Sequence, residues 1–228
     1  MRFIFTIALI FAAISASARR PDGVWFGGGL GLSMPSNLGN KASTLGFSTV
    51  AVPGFQAQAE GRWFYASRLS LGGALSASFL AQNDDFWVLR NKGRVSASYT
   101  MLSAVAKGHY YFSDDAFRPF AGMSFGVGWL SNSLNYESSL SGTLVDNSID
   151  YINRQFKPLF SPEVGFVMEA SPKTFFYVTC AFVVLPDMRP EYVPVTDVYG
   201  YTADVVVQNP HGNQNHFNFT IGLLFKWD

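Results

Sequence analysis

Cysteine occurs once in the 228-residue chain, at Cys180, so no intrachain disulfide can hold the fold together. Charge is scarce as well: 16 basic and 16 acidic side chains make up 14% of the residues and cancel formally. That balance excludes the basic face a nucleic-acid partner requires and the acidic bias of a solvating tail. Beyond the first 18 residues no apolar run approaches the ~20 residues of a membrane helix. Aromatic residues, by contrast, are abundant at 16%, while mean hydropathy is only +0.14. Aromatic content this high is unusual in a weakly charged soluble domain, and the hydropathy is too low for a bundle of membrane helices. A membrane sheet reconciles the two, because only alternate residues need be apolar.

The N-terminus, MRFIFTIALIFAAISASA, combines Arg2, an apolar core from Phe3 to Ile14, and small residues at Ala16 and Ala18. This is the pattern of a cleavable secretory signal, with the cut expected after Ala18. A retained membrane helix is disfavoured because the apolar run is too short. Residues 1–18 are thus read as signal and 19–228 as one domain, about 210 residues being enough for a single core.

Period-two alternation dominates the rest. In HFNFTIGLLFKW, Phe217, Phe219, Ile221, Leu223, Phe225 and Trp227 share one parity, and Asn218, Thr220, Gly222, Leu224 and Lys226 the other. Ser67 to Gln82 repeats the pattern, and Val24–Ser33, Gly54–Tyr65, Arg94–Val105 extending to Phe112, Phe120–Leu130, Phe160–Glu169 and Lys173–Leu185 complete a set of eight. Connections alternate strictly between short (after Tyr65, Phe112 and Glu169) and long (34–53, 83–93, 131–159 and 186–215). Short turns on one side and long loops on the other are the arrangement of an outer-membrane barrel with both termini in the periplasm. The expected fold is all-β: an eight-stranded antiparallel transmembrane β-barrel with up-and-down meander topology.

The lipid face is expected to carry Phe55, Ala57, Ala59 and Trp63; Val95, Ala97, Tyr99, Met101 and Val105; Met123, Phe125, Val127 and Trp129; and Val164, Phe166 and Met168. Cys180 shares the parity of Phe176 and Val178 and reads as a small lipid-facing hydrophobe. Lys107 breaks the parity assigned to the fourth strand, a break read as its exit from hydrocarbon. Phe26, Trp63, Phe64, Tyr65, Tyr110, Tyr111, Phe112, Phe117, Phe176 and Trp227 are expected to form an interfacial girdle at the periplasmic edge.

Inward parity collects Gln56, Gln58, Glu60, Arg62, Arg68, Arg94, Glu163, Glu169 and Lys226. Of these, Glu60, Arg62, Arg68, Arg94, Glu163, Glu169 and Lys226 are predicted to pair as a polar network across the lumen, which lowers the desolvation cost of isolated charges. Gly27, Gly29, Gly31, Gly122, Gly126 and Gly128 leave room for long side chains from the opposite wall. The Gly27–Gly31 run lacks the Lys-Ser/Thr and following helix of a phosphate loop.

No catalytic, metal or cofactor site is assigned. His211 and His216 lack the further ligands a metal requires and read as solvated loop histidines. A Ser/His/acid arrangement needs its groups within hydrogen-bond reach; Ser131 or Ser133 with His216 and Glu137 or Asp204 is the weak candidate, nothing in their spacing requiring it. VTDVYGYTADVVV alternates around Gly200 as an expected hairpin, its edges and Tyr192, Tyr199 and Tyr201 available for strand addition.

These features resemble the small eight-stranded outer-membrane proteins of Gram-negative bacteria, the OmpA/OmpX-like superfamily, from Val24 to Trp227. The terminal Leu223, Phe225 and Trp227 are similar to the pattern read by the barrel insertion machinery, although Asp228 follows the last aromatic. The resemblance implies stability, adhesion, narrow-pore or lipid-modifying roles without choosing among them. The expectation is a monomeric, non-enzymatic barrel with a structural or surface-interaction role and a closed lumen. The alternatives are a narrow channel for small solutes and an outer-leaflet lipid-modifying enzyme. Outer-membrane lipid, lipopolysaccharide and the insertion machinery are its expected partners, with a protein partner conceivable at loops 131–159 and 186–215.

Overall fold

A computed structural model describes residues 23–38, 47–83, 93–138, 148–186, 191–196, 202–207 and 213–227. The signal segment, His211, Tyr199 and Tyr201 lie outside them. Eight strands close a barrel: β1 (Val24–Pro35), β2 (Ala51–Ala66), β3 (Leu69–Gln82), β4 (Gly93–Tyr111), β5 (Phe117–Ser138), β6 (Ser148–Ser171), β7 (Thr174–Val183) and, last in sequence, β10 (His216–Trp227). Each pairs antiparallel with its sequence neighbour, and β1 closes on β10 from Val24↔Trp227 to Pro35↔His216. Closure leaves the barrel wall without the unpaired edge that lipid would penalise. The alternating segment around Gly200 yields a separate hairpin, β8 (Glu191–Thr196) with β9 (Thr202–Val207). Among the described residues one short helix, α1 (Phe47–Val50), lies in the first long connection.

The outside is apolar. Leu30, Phe79, Phe125, Val164, Ile221 and Phe225 are all exposed, while Ser33, Gln56, Ser78, Ser124, Thr179 and Thr220 on the opposite parity are buried. Uncompensated apolar exposure on this scale belongs in a bilayer, and the chain is an outer-membrane-type β-barrel. Cys180 lies half-buried on the outward parity of β7.

Five expectations require correction here. The face of β4 is inverted: Tyr99 and Met101 are buried and Val105 packs inside, whereas Leu102 is 42% exposed. Lys107 therefore continues their parity rather than interrupting it, and its side chain lies inside the barrel. Apolar residues suit either face of a barrel that packs its own lumen, but a lysine facing lipid costs about 2–4 kcal/mol near the midplane, so Lys107 fixes the parity. Val95 and Ala97 lie outside the residues whose side chains are described.

Phe64 and Tyr111 are likewise buried inside the barrel, not in an exterior girdle, while Trp63, Tyr65, Tyr110 and Phe112 do face outward. Arg68 sits in the turn between β2 and β3, exposed, since β3 begins at Leu69.

The connection expected over 131–159 is largely strand. β5 and β6 pair from Phe117↔Met168 to Glu137↔Ser148. Beyond the hydrocarbon the outward face needs no apolar side chains, so the polarity alternation stops while the backbone ladder continues. Prolines interrupt the other side of β6. Phe160 exchanges both backbone hydrogen bonds with Val184, at 3.4 and 2.8 Å. Residues two apart on a strand direct their backbone groups to the same neighbour, so Pro158 and Pro162 offer β7 a nitrogen with no proton. The continuous β6–β7 ladder accordingly starts at Glu163↔Ala181.

Candidate functional site: a charged and aromatic cluster inside the barrel

Inward positions near the short-turn end carry bulk. Trp25, Phe64, Tyr111, Phe120, Val167, Phe175, Tyr177 and Leu224 form one buried cluster. Trp25 stacks on Phe175 with ring centroids 4.0 Å apart and leans on Phe64 at 4.3 Å. The Arg118 guanidinium lies 5.4 Å from the Trp25 ring, a cation–π distance.

Against this aromatic floor lies a chain of charges. Glu60 and Arg62, two residues apart on β2, share the inward face, and Arg62 Nη2 donates to Glu60 Oε1 at 2.7 Å. Lys107 Nζ lies 3.2 Å from Glu60 Oε2 and 2.9 Å from Glu163 Oε2, joining β2 to β6 through β4. His109 Nε2 meets the other Glu163 oxygen at 2.7 Å, and its Nδ1 lies 3.2 Å from Ser70 Oγ. Arg62 Nη1 donates to the Tyr111 hydroxyl at 2.9 Å, and its guanidinium lies 5.0 Å from the Phe120 ring and 5.3 Å from the Tyr177 ring.

Glu60, Arg62, Lys107, His109 and Glu163 are all buried. Two carboxylates face two cations, so the cluster is charge-balanced with His109 neutral. The hydrogen bonds accommodate that form: Nε2–H donates to Glu163, and Nδ1 accepts from Ser70. Ser70, His109 and Glu163 thus stand in the order nucleophile, base, acid. Their side chains are nevertheless at most 3% exposed, and the second Glu163 oxygen is held by Lys107. A substrate has no approach to Ser70 in this arrangement.

Of the seven residues expected in the network, Glu60, Arg62 and Glu163 come together. Arg68 pairs instead with Asp114 in the exposed turn region, at 3.3 Å. Glu169 is exposed near the end of β6, and Lys226 is half-buried near the end of β10, where its amide donates to the Lys173 carbonyl at 2.9 Å. Arg94 lies at the far end of β4, its backbone opposite Glu137 and its side chain outside those described. Sequence reasoning missed Lys107, His109, Ser70, Tyr111 and Trp25. A usable signal was present: Lys107 and His109 share a parity, and two polar residues so spaced within a membrane strand belong inside.

The long-connection end is packed differently. Met101, Leu130, Leu159, Val183 and Leu185 pack inside the wall, and α1 contributes Phe47, edge-on to Tyr99 at 5.4 Å. Asn215 fastens this end: its Oδ1 accepts from Leu185 N, its Nδ2 donates to Leu38 O, and its carbonyl accepts from Ser36 N. His216 is buried here rather than solvated. Ser131 and Ser133 take the parity of Trp129 on β5, opposite to inward Leu130, so they are not brought to His216.

This fold defines a class, the eight-stranded outer-membrane β-barrels. No protein-family model matches the chain, and no curated protein matches it. Among solved structures it is similar to the outer membrane protein OprG from Pseudomonas aeruginosa, with 12% identity, TM-score 0.51 and coverage of 91% of this chain and 99% of that one. It is also similar to the outer membrane protease OmpT from Escherichia coli, at 11% identity, TM-score 0.50, and 91% and 98% coverage. Neisserial surface protein A follows at 12% identity, TM-score 0.49, and 90% and 97% coverage. At such identities the likeness is one of fold, and a protease among the similar structures leaves the activity open.

Proposed function

We propose that this protein is a non-enzymatic, monomeric outer-membrane barrel whose lumen is held shut and whose work is done at the surface carrying the long connections. The observation that carries this reading is Lys107, held between Glu60 and Glu163 with Arg62 and the aromatic floor beneath. Charge-assisted bonds across a lumen only side chains wide leave no continuous path for solute. With the short turns assigned to the periplasm, both termini lie there, and Leu223, Phe225 and Trp227 present the outward aromatic pattern to the insertion machinery. The extended β5–β6 ladder and the β8–β9 hairpin then rise on the external side, among lipopolysaccharide, where an exposed backbone edge can accept a partner strand.

A narrow channel is the second reading. Favouring it are Gln58 Nε2, Ser78 Oγ and Thr179 Oγ1, buried polar atoms without a protein partner that would line a hydrated path between the two closures. Conductance in planar bilayers decides between them. Closed wild type with openings in Lys107→Met supports the plug; reproducible wild-type openings altered by Lys107→Met support the channel and overturn the closed lumen.

A further inference from the structure

A pocket in the outer closure has chemistry that lumen plugging does not use. Phe47, Tyr99, Met101, Leu130 and Leu185 supply apolar walls and Gln214 and His216 polar ones, leaving about 10 Å³, room for roughly one water. His216 Nδ1 lies 2.9 Å from the Gln214 carbonyl, so Nδ1 carries the proton and Nε2 is a bare acceptor. That Nε2 has no partner, nor has Gln214 Nε2, a donor, although the two residues are only 1% and 2% exposed. Buried polar atoms are ordinarily satisfied, and an unpaired acceptor with an unpaired donor is the complement of one hydroxyl group.

The apolar space is filled from outside the wall. Phe47 belongs to the four-residue α1, held by Asn83 through Thr49 O and Val50 O and by Ser48 N on Asn37 Oδ1. Its ring is 1% exposed and edge-on to Tyr99, so a connection inserts an aromatic group into a recess that strands and the end of β7 have built.

We propose that this recess is a binding site for a small aromatic alcohol of the phenol type. Its hydroxyl donates to His216 Nε2 and accepts from Gln214 Nε2, and its ring takes the place that Phe47 occupies in the free protein. The site is independent of whether the lumen conducts, because it lies in the outer closure and not in the charged one.

The test follows ¹⁵N-labelled histidine by NMR in the mature barrel in lipid nanodiscs, titrated with phenol and with toluene. Phenol should shift His216 Nε2 saturably and toluene should not. Phe47→Ala, by removing a tethered competitor of roughly millimolar effective concentration, should bind phenol about tenfold more tightly. Gln214→Met, which removes the donor and keeps the His216 probe, should narrow the preference for phenol over toluene. If Phe47→Ala fails to insert, the wild-type titration and Gln214→Met decide alone. No saturable shift with phenol in the wild type, an equal shift with toluene, or a single bound water that phenol does not displace would overturn the proposal.

Discussion

His109 and Glu163 meet at 2.7 Å although a whole strand separates them, because the residue between them in the register is Gly122, paired with His109 on one side and Glu163 on the other. A Cβ built on Gly122 would stand 2.6 Å from His109 Cδ2 and 3.2 Å from Glu163 Cγ. The glycine's role here is to have no side chain.

Gly122→Ala should therefore part the two groups. The Gly108 carbonyl, 2.8 Å from the same Cβ, limits escape by side-chain movement alone. Overpacking of this kind costs about 1–3 kcal/mol. Urea unfolding of the variant in lipid vesicles, compared with Gly61→Ala, whose nearest contact is 3.9 Å away, should show the loss at Gly122 alone.

Lys107→Met leaves two buried carboxylates with one cation. Breaking a buried pair from one side costs about 3–5 kcal/mol, because an uncompensated charge remains. Adding Glu163→Gln restores one charge of each sign, so the double variant should be more stable than Lys107→Met. A double variant less stable than the single would refute the charge-balance account. Arg68→Ala, outside the cluster, serves as the control and should leave the closure intact.

Neighbouring residues on β4 should respond oppositely. Leu102→Arg places a charge on the lipid face, at a cost of about 2–4 kcal/mol near the midplane, and should impair insertion. Met101→Gln alters the interior instead and should insert normally while loosening the packing at the long-connection end. Heat-modifiable electrophoretic mobility reads insertion, and equal defects in the two variants would reverse the face assignment.

The same contrast holds between Trp63 and Phe64. Phe64 is fully buried against Trp25 and Tyr111, so Phe64→Ala should cost about 3–5 kcal/mol. Trp63 is 52% exposed on the outside. Trp63→Ala should destabilise less, and urea midpoints of the two variants provide the measure.

Reading the sequence recovers most of the barrel because lipid imposes a strict rule on alternate residues. In β10, apolar Phe219, Ile221 and Phe225 could alternate with Asn218 and Thr220 in no other way without exposing polar groups to hydrocarbon. The rule weakens where its cause does. On β4, Tyr99 and Met101 are as apolar as Leu102, and only Lys107 and His109 reveal which parity faces inward. Along β5 and β6 past Leu130 and Leu159, water replaces lipid and the alternation that signals a strand disappears, though the ladder persists.

For the lumen, parity alone selects Glu60, Arg62 and Glu163, while the partners of each are a matter of register. Shear brings Lys107 between carboxylates on β2 and β6, and the absence of a side chain at Gly122 lets His109 reach Glu163; neither distance is encoded within any one strand. The amino-acid sequence by itself determined a closed membrane barrel of eight strands, because lipid acts on each residue locally. Only the tertiary structure decided which charges pair, which aromatics fill the interior and what packs at each end, because those contacts join residues that come together solely through strand register and closure.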